Sequence, residues 1–265
     1  MKLPFISDFF PMIPIKTAEQ IQKMRVSCEL AANILNQLCD MIRPGITTLE
    51  VDQAAGRLIA DAGAKSAFYR YRNFPGQICI SVNEEVVHGI GGERKILYGD
   101  LVKLDVGVVY DGWIGDNAIS LPVGVVDPKV ERLIRITEEA LQNCFKFARA
   151  GRRLGDICSS IEQHILDNGY SVVREFVGHG VGRKLHEDPQ IPNYGKRGTG
   201  PKLKPGMVFA IEPMVNMGSP DIRLLDDDWT VVSSDGLPSS HFEHTILITK
   251  DEPEVLTWPR KTLLN

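Results

Sequence analysis

Cysteine is scarce in this chain and poorly arranged for disulfides or for a structural zinc site. The five cysteines are odd in number and include no C-x-x-C pair; they are Cys28, Cys39, Cys79, Cys144 and Cys158. Such a set favours reduced thiols over a disulfide framework. We therefore expect a cytoplasmic protein whose cysteines act mainly as small hydrophobic core residues.

Long apolar runs are also absent. No stretch approaches the roughly eighteen residues of a membrane span, so we expect no membrane partner. The N-terminus, MKLPFISDFFPMIPIK, is apolar but interrupted by Asp8 and three prolines, which argues against a signal peptide. We expect residues 1–16 to form an extended arm over a single domain of residues 17–265. The Pro11-x-x-Pro14 spacing leaves a polyproline ligand as the alternative.

An excess of either charge is missing. The net charge is −4, with 24% charged and 43% hydrophobic residues, which is an ordinary globular composition. The slight acidity and the lack of a Lys/Arg run argue against a nucleic-acid-binding surface. We expect no specific nucleic-acid partner.

The sequence does contain an internal repeat. Four helices are indicated by capping boxes at Thr17–Gln20 and Thr47–Glu50, by Asp127-Pro128, and by an apolar stripe from about Leu154. The first pair of helices matches the second pair. The matches after 106 residues are Arg43-Pro-Gly45 with Arg149-Ala-Gly151, and Gly63 with Gly169.

A repeat this long, present twice, predicts a duplicated α+β fold rather than a solenoid. The two copies span about residues 17–125 and 126–250. Folded face to face, they would form a pseudo-two-fold central antiparallel sheet flanked by helices. Chance similarity between two helix-helix-strand segments is the alternative. The repeat also matches Glu212 with Asp105, since each follows a glycine by six residues.

An acidic ribbon supplies half of a candidate site. Leu101–Tyr110 is rich in Val and Leu, as a buried strand requires, and Asp111-Gly112 favours a two-residue hairpin loop. In that register Asp105 lies opposite Ala118 and diagonal to Asp116, with backbones roughly 7–8 Å apart. Two carboxylates this close repel unless a proton or a cation lies between them.

Two further acids lie in apolar, strand-like segments, Glu212 in VFAIEPMV and Glu243 in HFEHTILIT. An ionised acid is costly to bury there without a partner, although a solvent-facing edge position would explain either one alone. His179, flanked by two glycines, is more often structural when alone but becomes a candidate fifth ligand beside four acids.

Four carboxylates and one imidazole suit Mn, Fe, Co or Zn better than a structural zinc site, which prefers Cys and His. Four carboxylates carry too much charge for one divalent ion. A pair of ions roughly 3.5–4 Å apart would balance them, so we expect two divalent cations.

The order and context of these residues resemble one family. The series Leu-Asp-Val-Gly, Gly-Asp-Asn, Gly-His-Gly-Val-Gly, Ile-Glu-Pro-Met and Phe-Glu-His-Thr resembles the type I methionine aminopeptidases over about residues 17–250. The resemblance implies a pita-bread fold and metal-dependent removal of N-terminal methionine before a small second residue. The metal ligands that it implies are Asp105, Asp116, His179, Glu212 and Glu243, with Asp116 and Glu243 bridging.

The resemblance also implies individual roles. A bridging water or hydroxide would be the nucleophile, and Glu212 would relay its proton. His88 would contact the scissile amide and His186 would support the oxyanion; ordinary surface or turn histidines are the alternative. The substrate pocket positions of the family match Tyr71, Phe74, Cys79 and Trp229. Aromatic rings and sulfur pack well against the thioether of a methionine side chain, and ordinary core packing is the alternative role for these four residues.

The chain departs from the family pattern close to one ligand. Ile114 replaces a common histidine, and Asn117-Ala118 replaces Thr/Ser-Ser. No ligand is lost, so we expect altered packing rather than lost chemistry. About thirty residues separate Glu212 from Glu243, too few for the helical insertion of type II relatives.

Two alternatives stay open. A prolidase or aminopeptidase P shares the fold and the ligands but usually carries a long N-terminal domain, and about sixteen residues precede the first helix here. A non-catalytic pita-bread binding protein has typically lost ligands. We expect a monomer that acts on peptide and nascent-chain N-termini, with the ribosome exit region as a candidate place of action.

Overall fold

The computed structural model describes residues 13–258, and its helices begin where the sequence signals indicated. They are α1 (Ala18–Met41), α2 (Thr48–Asp61), α3 (Pro128–Cys144) and α4 (Leu154–Asp167). Thr17 and Thr47 close the predicted capping boxes, and the Asp127 carboxylate accepts the Lys129 N–H. Within the described range, no helix is long and apolar enough to cross a membrane.

Fifteen strands, many of two to five residues, form three sheets within residues 13–258. The strands are β1 (Lys65–Ser66), β2 (Cys79–Val82), β3 (Glu85–Val87), β4 (Leu101–Tyr110), β5 (Trp113–Pro122), β6 (Ser171–Val172), β7 (Gly178–Gly180), β8 (Glu187–Ile191), β9 (Val208–Ile211), β10 (Met214–Asn216), β11 (Ile222–Leu224), β12 (Val231–Ser233), β13 (Ser239–His241), β14 (Glu243–Leu247) and β15 (Glu254–Val255). Two short 3-10 turns are Tyr71–Asn73 and Phe145–Phe147.

The nine-stranded antiparallel sheet runs in the order β1-β4-β5-β14-β9-β7-β8, with β2 beside β4 and β15 beside β14. The smaller sheets are β13-β10-β6 and β11-β12-β3. The predicted hairpin is confirmed, because Tyr110 pairs with Trp113 and Asp105 with Ala118. Strands of the first repeat meet strands of the second where β5 pairs with β14.

The main apolar core lies between this sheet and the helices. It includes Leu38 of α1, Leu104 of β4 and Ile161 of α4, all essentially inaccessible to solvent. Helix α1 packs on β4 and β5 so closely that a Cβ added at Gly115 would lie 2.3 Å from the Ser27 carbonyl oxygen. Only glycine fits there, which fixes the hairpin that carries Asp116 against α1.

Glycines matched by the repeat share a left-handed backbone. The matched φ values are 92° and 86° at Gly45 and Gly151, 68° and 79° at Gly63 and Gly169, and 94° and 90° at Gly99 and Gly206. A side chain is strained at each of these positions, so equal spacing of glycine reflects equal turns. This agreement supports the duplicated architecture.

The start of the described chain lies against the domain. Residues 13–16 have no regular secondary structure, and the Lys16 N–H donates to the Gly206 carbonyl. The Lys16 ammonium also pairs with Glu187. The rest of the expected arm, residues 1–12, lies outside the described residues.

Candidate metal centre and its cleft

Five neighbouring strands of the large sheet carry the five predicted ligands. Asp105 lies on β4, Asp116 on β5, Glu243 opens β14, Glu212 directly follows β9, and His179 is the middle residue of β7. These strands are consecutive in the sheet. Residues that are far apart in sequence therefore face one another because their strands pair side by side.

Two register pairs bring the ligands of the two repeats together. Glu243 lies opposite Ala118, which also lies opposite Asp105 across the next ladder. His179 lies opposite Ala210, two residues before Glu212. All five side chains thus line one cleft of about 720 Å³.

The tightest cluster joins Asp116, His179 and Glu243. One ligand atom of each lies within 4.8 Å of the others. His179 Nε2 is 3.9 Å from Asp116 Oδ2 and 3.4 Å from Glu212 Oε1. The imidazole therefore lies between the carboxylates of both repeats.

Burial and mutual repulsion raise the pKa values of three of the acids, Asp105, Asp116 and Glu212. Burial, and then the charge of Glu212, raises the pKa of Asp105 well above its usual range. Burial and the Asp105 charge do the same to the pKa of Asp116. The pKa of Glu212 is likewise raised by burial and by Asp116. A compensating cation is the usual solution to such an arrangement.

His179 is prepared to act as a neutral ligand. Burial, and then the nearby His186, lowers the pKa of His179 to about 3. Its Nδ1 lies 3.0 Å from the Gly180 carbonyl oxygen, which can only accept, so Nδ1 carries the proton. Nε2, which faces the acids, is left with its lone pair, as metal-binding histidines require.

The donor set fits divalent cations. Oδ1 of Asp105 and Oδ1 of Asp116 are buried and accept no hydrogen bond from any described residue. Buried carboxylate oxygens without donors are costly in an apolar setting. Oxygen donors with one imidazole are hard-to-borderline ligands, which suits Mn, Fe, Co or Zn.

Two further histidines, His88 and His186, line the cleft. The His186 ring lies 4.4 Å from that of His179, and its Nδ1 is 2.8 Å from the Tyr71 hydroxyl oxygen. His88 packs edge-on against Phe176 at 5.2 Å and Trp229 at 6.2 Å. Burial, and then His186, lowers the pKa of His88 to about 4.

The four predicted pocket residues also line the cleft. Phe74 and Trp229 meet edge to face with ring centroids 5.1 Å apart. Cys79 is buried directly opposite Asp105 in the register of β2 and β4. An apolar wall therefore adjoins the acidic centre.

The lining residues that sequence reasoning missed include Phe176, Met214 and His241. His241 is buried, with Nε2 3.7 Å from Glu212 Oε2, and the Ser120 hydroxyl bonds both its N–H and its carbonyl. Side chains two residues apart in an extended segment point to the same side, so the position of His241 two residues before Glu243 could have indicated that it faces the cleft. Phe176 and Met214 gave no comparable signal.

Ile114, which departs from the family pattern, is buried among Phe68, Trp113 and other apolar residues, and its N–H donates to the Gly182 carbonyl. Asn117 is buried as well. The altered positions are filled by packing, and none of the five ligands is displaced from the cleft.

Comparison with known proteins gives a consistent result. The family model described as Metallopeptidase family M24 matches residues 22–250. The Methionine aminopeptidase of Clostridium perfringens is 47% identical over 246 residues, covering 93% of this chain and 99% of that protein. Methionine aminopeptidase 1 of Bacillus subtilis is 47% identical with the same coverage.

Solved structures agree. The methionine aminopeptidase from Rickettsia prowazekii has a TM-score of 0.92 at 42% identity, covering 93% of this chain and all of that chain. The prolidase from Pyrococcus horikoshii has a TM-score of 0.77 at 26% identity, and only 65% of that chain is covered. The expected pita-bread α+β fold is confirmed by the closer likeness, and the prolidase alternative is the less supported one.

Proposed function

The chain belongs to the methionine aminopeptidases of metallopeptidase family M24, and on that premise we propose that it removes the N-terminal methionine from peptides and nascent proteins with a small second residue. The observation that carries this proposal is one cleft in which five metal-type ligands adjoin an aromatic wall. Binding a peptide end-on there brings its first carbonyl to the acids while its first side chain contacts the wall.

The residues that would hold two divalent cations are Asp105, Asp116, His179, Glu212 and Glu243, and Asp116 and Glu243 would contribute to both ions. Co, Mn, Fe and Zn all suit this set. When bound, such a pair supplies Lewis acidity to a peptide carbonyl and lowers the pKa of coordinated water.

Glu212 is the proposed carrier of the proton. Its two carboxylate oxygens lie 3.4 Å from His179 Nε2 and 3.7 Å from His241 Nε2, so the carboxylate lies between these two rings. From there Glu212 accepts the proton of the attacking water and returns it to the leaving amine.

His88 and His186 are proposed to act on the peptide itself. In the tautomer where the Tyr71 hydroxyl donates to His186 Nδ1, the ring proton is on Nε2, which can donate to the developing oxyanion. His88, held between two rings, is proposed to contact the scissile amide. Both histidines are proposed to act by hydrogen bonding to substrate atoms.

The proposed methionine pocket consists of Tyr71, Phe74, Cys79 and Trp229. Phe74 and Cys79 are buried, whereas Tyr71 and Trp229 are half-buried. An unbranched thioether fits such a wall, because sulfur packs favourably at ring edges and a straight chain adapts to gaps.

A peptide panel tests the proposed function. With Mn or Co added, we expect hydrolysis of Met-Ala-Ser and none of Met-Lys peptides or X-Pro dipeptides. Robust X-Pro cleavage would instead indicate a prolidase. Two bound metals without any cleavage would indicate a binding protein.

We further propose that the enzyme is a cytoplasmic monomer that meets nascent chains at the ribosome exit region, and that residues 17–265 form one domain with residues 1–16 as an arm. Support for a polyanionic partner comes from a basic surface formed by residues 146–153 and 196–204. Each segment carries four Lys or Arg and no Asp or Glu.

The two segments of the basic surface are joined by direct contacts. The buried Asp156 carboxylate accepts the N–H groups of Arg153 and Gly198, one from each segment. Lys146, Arg152 and Arg197 lie 5.4, 5.8 and 5.0 Å from the centroid of the Phe147 ring. All eight basic side chains are exposed, and none pairs with a carboxylate of residues 13–258. Phosphate groups would compensate these clustered charges.

A further inference from the structure

A lysine lies where the sheet is closed to solvent. Lys103 is 1% exposed, on the same face of β4 as Asp105. Its neighbours across the two ladders are Ser81 of β2 and Ser120 of β5, both buried. A lysine is almost never fully buried unless its nitrogen is held by partners. The contacts of this nitrogen therefore identify its role.

Lys103 Nζ donates to the carbonyl oxygen of Asn83 at 2.7 Å. The Ser239 N–H donates to the same oxygen at 3.0 Å. Both lone pairs of that carbonyl are thus used, one by β4 and one by the first residue of β13. Asn83 itself has a left-handed backbone with φ of 55°, which asparagine tolerates, and its N–H and Oδ1 bond the backbone of Leu101.

The chain on either side of this junction carries residues of the cleft. Asn83 begins the turn into β3, and His88 follows β3 directly, again with a left-handed φ of 60°. Ser239 begins β13, which leads to His241 and then to Glu243. One carbonyl therefore ties together the segments that present a histidine and a carboxylate.

The neighbouring serines hold the far ends of the same segments. The Ser81 hydroxyl accepts the N–H of Gly89, the residue after His88. The Ser120 hydroxyl bonds the backbone of His241 on both sides. Ser81, Lys103 and Ser120 thus form a buried polar row on the face of the sheet that also carries Asp105.

We propose that Lys103 is a positioning residue for the reaction, which fastens the Asn83 carbonyl to β4 and thereby sets the place of His88 in the cleft. The inference rests on the proposed function only through the role of His88. Either protonation form of the nitrogen has an N–H to donate, so the contact does not depend on the pKa of Lys103, which burial lowers to about 7.

The test is a double-mutant cycle. Lys103→Met keeps the side-chain length and removes the donor, and we expect kcat/KM for Met-Ala-Ser to fall roughly tenfold, as loss of one buried hydrogen bond would produce. In a His88→Ala background the same substitution should cost less than about twofold, because its target is gone. Equal losses in both backgrounds would overturn the proposal.

A second readout is independent of turnover. In metal-free protein, the ring resonances of His88, one of six histidines, should shift in Lys103→Met and stay in place in Lys95→Met, an exposed-lysine control. An unmoved His88 signal would count against positioning. Should Lys103→Met fail to fold, Lys103→Gln and Lys103→Leu replace it, because Gln keeps an N–H donor and Leu does not: a smaller loss of kcat/KM in Lys103→Gln supports the proposal, and equal losses in both variants refute it. Inactivity of the parent enzyme towards every peptide would refute the proposed function, while the His88 signal would still report on Lys103.

Discussion

At the scale of single residues, Asp116 gives the most direct test of the candidate metal centre, because its carboxylate is buried beside that of Asp105. Asp116→Asn removes one charge from the tightest cluster while keeping its shape. We expect kcat/KM to fall more than about 100-fold, beyond the loss typical of outer-shell changes, and bound metal to drop in elemental analysis. Asp111→Asn, in the exposed turn of the same hairpin, should change neither. Full activity and full metal content in Asp116→Asn would contradict the bridging role.

A smaller effect is expected at Tyr71, which contacts His186 rather than the acidic residues. Tyr71→Phe keeps the ring beside His186 and removes the hydroxyl that bonds His186 Nδ1 at 2.8 Å. Loss of one such bond should lower kcat by about 2- to 10-fold. The metal content should stay at its wild-type value, because the hydrogen bond of the Tyr71 hydroxyl goes to His186 and not to a ligand carboxylate. A drop in metal binding would show that Tyr71 supports the centre rather than the substrate histidine.

Residue-level prediction worked where a register could be read from the sequence. The Asp111-Gly112 turn fixed the pairing of β4 with β5 and so the diagonal placement of Asp105 and Asp116. Lys103 and His241 were not found, because their roles depend on strands distant in sequence. A buried lysine and a buried histidine look like ordinary polar residues until the sheet is assembled.

At the scale of elements, the start of α4 carries a pH-dependent contribution to stability. Burial alone raises the pKa of Asp156, but the N–H groups of Arg153 and Gly198, with the charges of Arg152 and Arg197, outweigh it and lower that pKa below its usual value. A carboxyl with a lowered pKa stabilises the folded state above its unfolded pKa. That stabilisation is lost as pH falls through the folded value.

Asp156→Asn should therefore lower the free energy of unfolding by about 1–2 kcal/mol at pH 7, the cost of one poorly replaced acceptor. The difference from wild type should shrink as pH drops below about 4. Urea denaturation at several pH values measures both effects. A difference that stays constant with pH would contradict the charge-dependent part of this account.

Elements with local signals were predicted well, and those without were missed. The helices α1 and α2 begin at their capping boxes, since the bonds that define them lie within four residues. The turn at residues 70–73 was not predicted, although Arg70, Arg72 and Asn73 all have positive φ. Asparagine tolerates that backbone but arginine does not favour it, so the surrounding packing must impose it at Arg70 and Arg72.

At the scale of the whole molecule, duplication explains why one sheet holds two matched acids. Asp105 on β4 and Glu212 after β9 occupy equivalent places, and the strands β5 and β14 meet between them. The sequence repeat predicted this pairing because equal turns need equal glycines. The charge distribution was harder to predict, since the basic surface joins two segments about fifty residues apart that show no Lys/Arg run.

The basic surface gives the last prediction, at the scale of the molecule and its partner. The double variant Arg152→Glu/Arg197→Glu reverses two of the three charges around Phe147. We expect weaker binding to purified ribosomes in sedimentation assays and a shallower dependence of affinity on salt, because fewer counterions are released. Hydrolysis of Met-Ala-Ser should be unchanged, since neither arginine lines the cleft.

The matched control is Lys65→Glu/Lys95→Glu, which reverses two exposed charges outside the surface. If both double variants lose ribosome binding equally, the attraction depends on total charge and the basic surface has no special role. Unchanged binding in Arg152→Glu/Arg197→Glu would remove this surface as the contact. A loss confined to that variant, with full peptidase activity, would separate the place where the enzyme works from the chemistry that it performs.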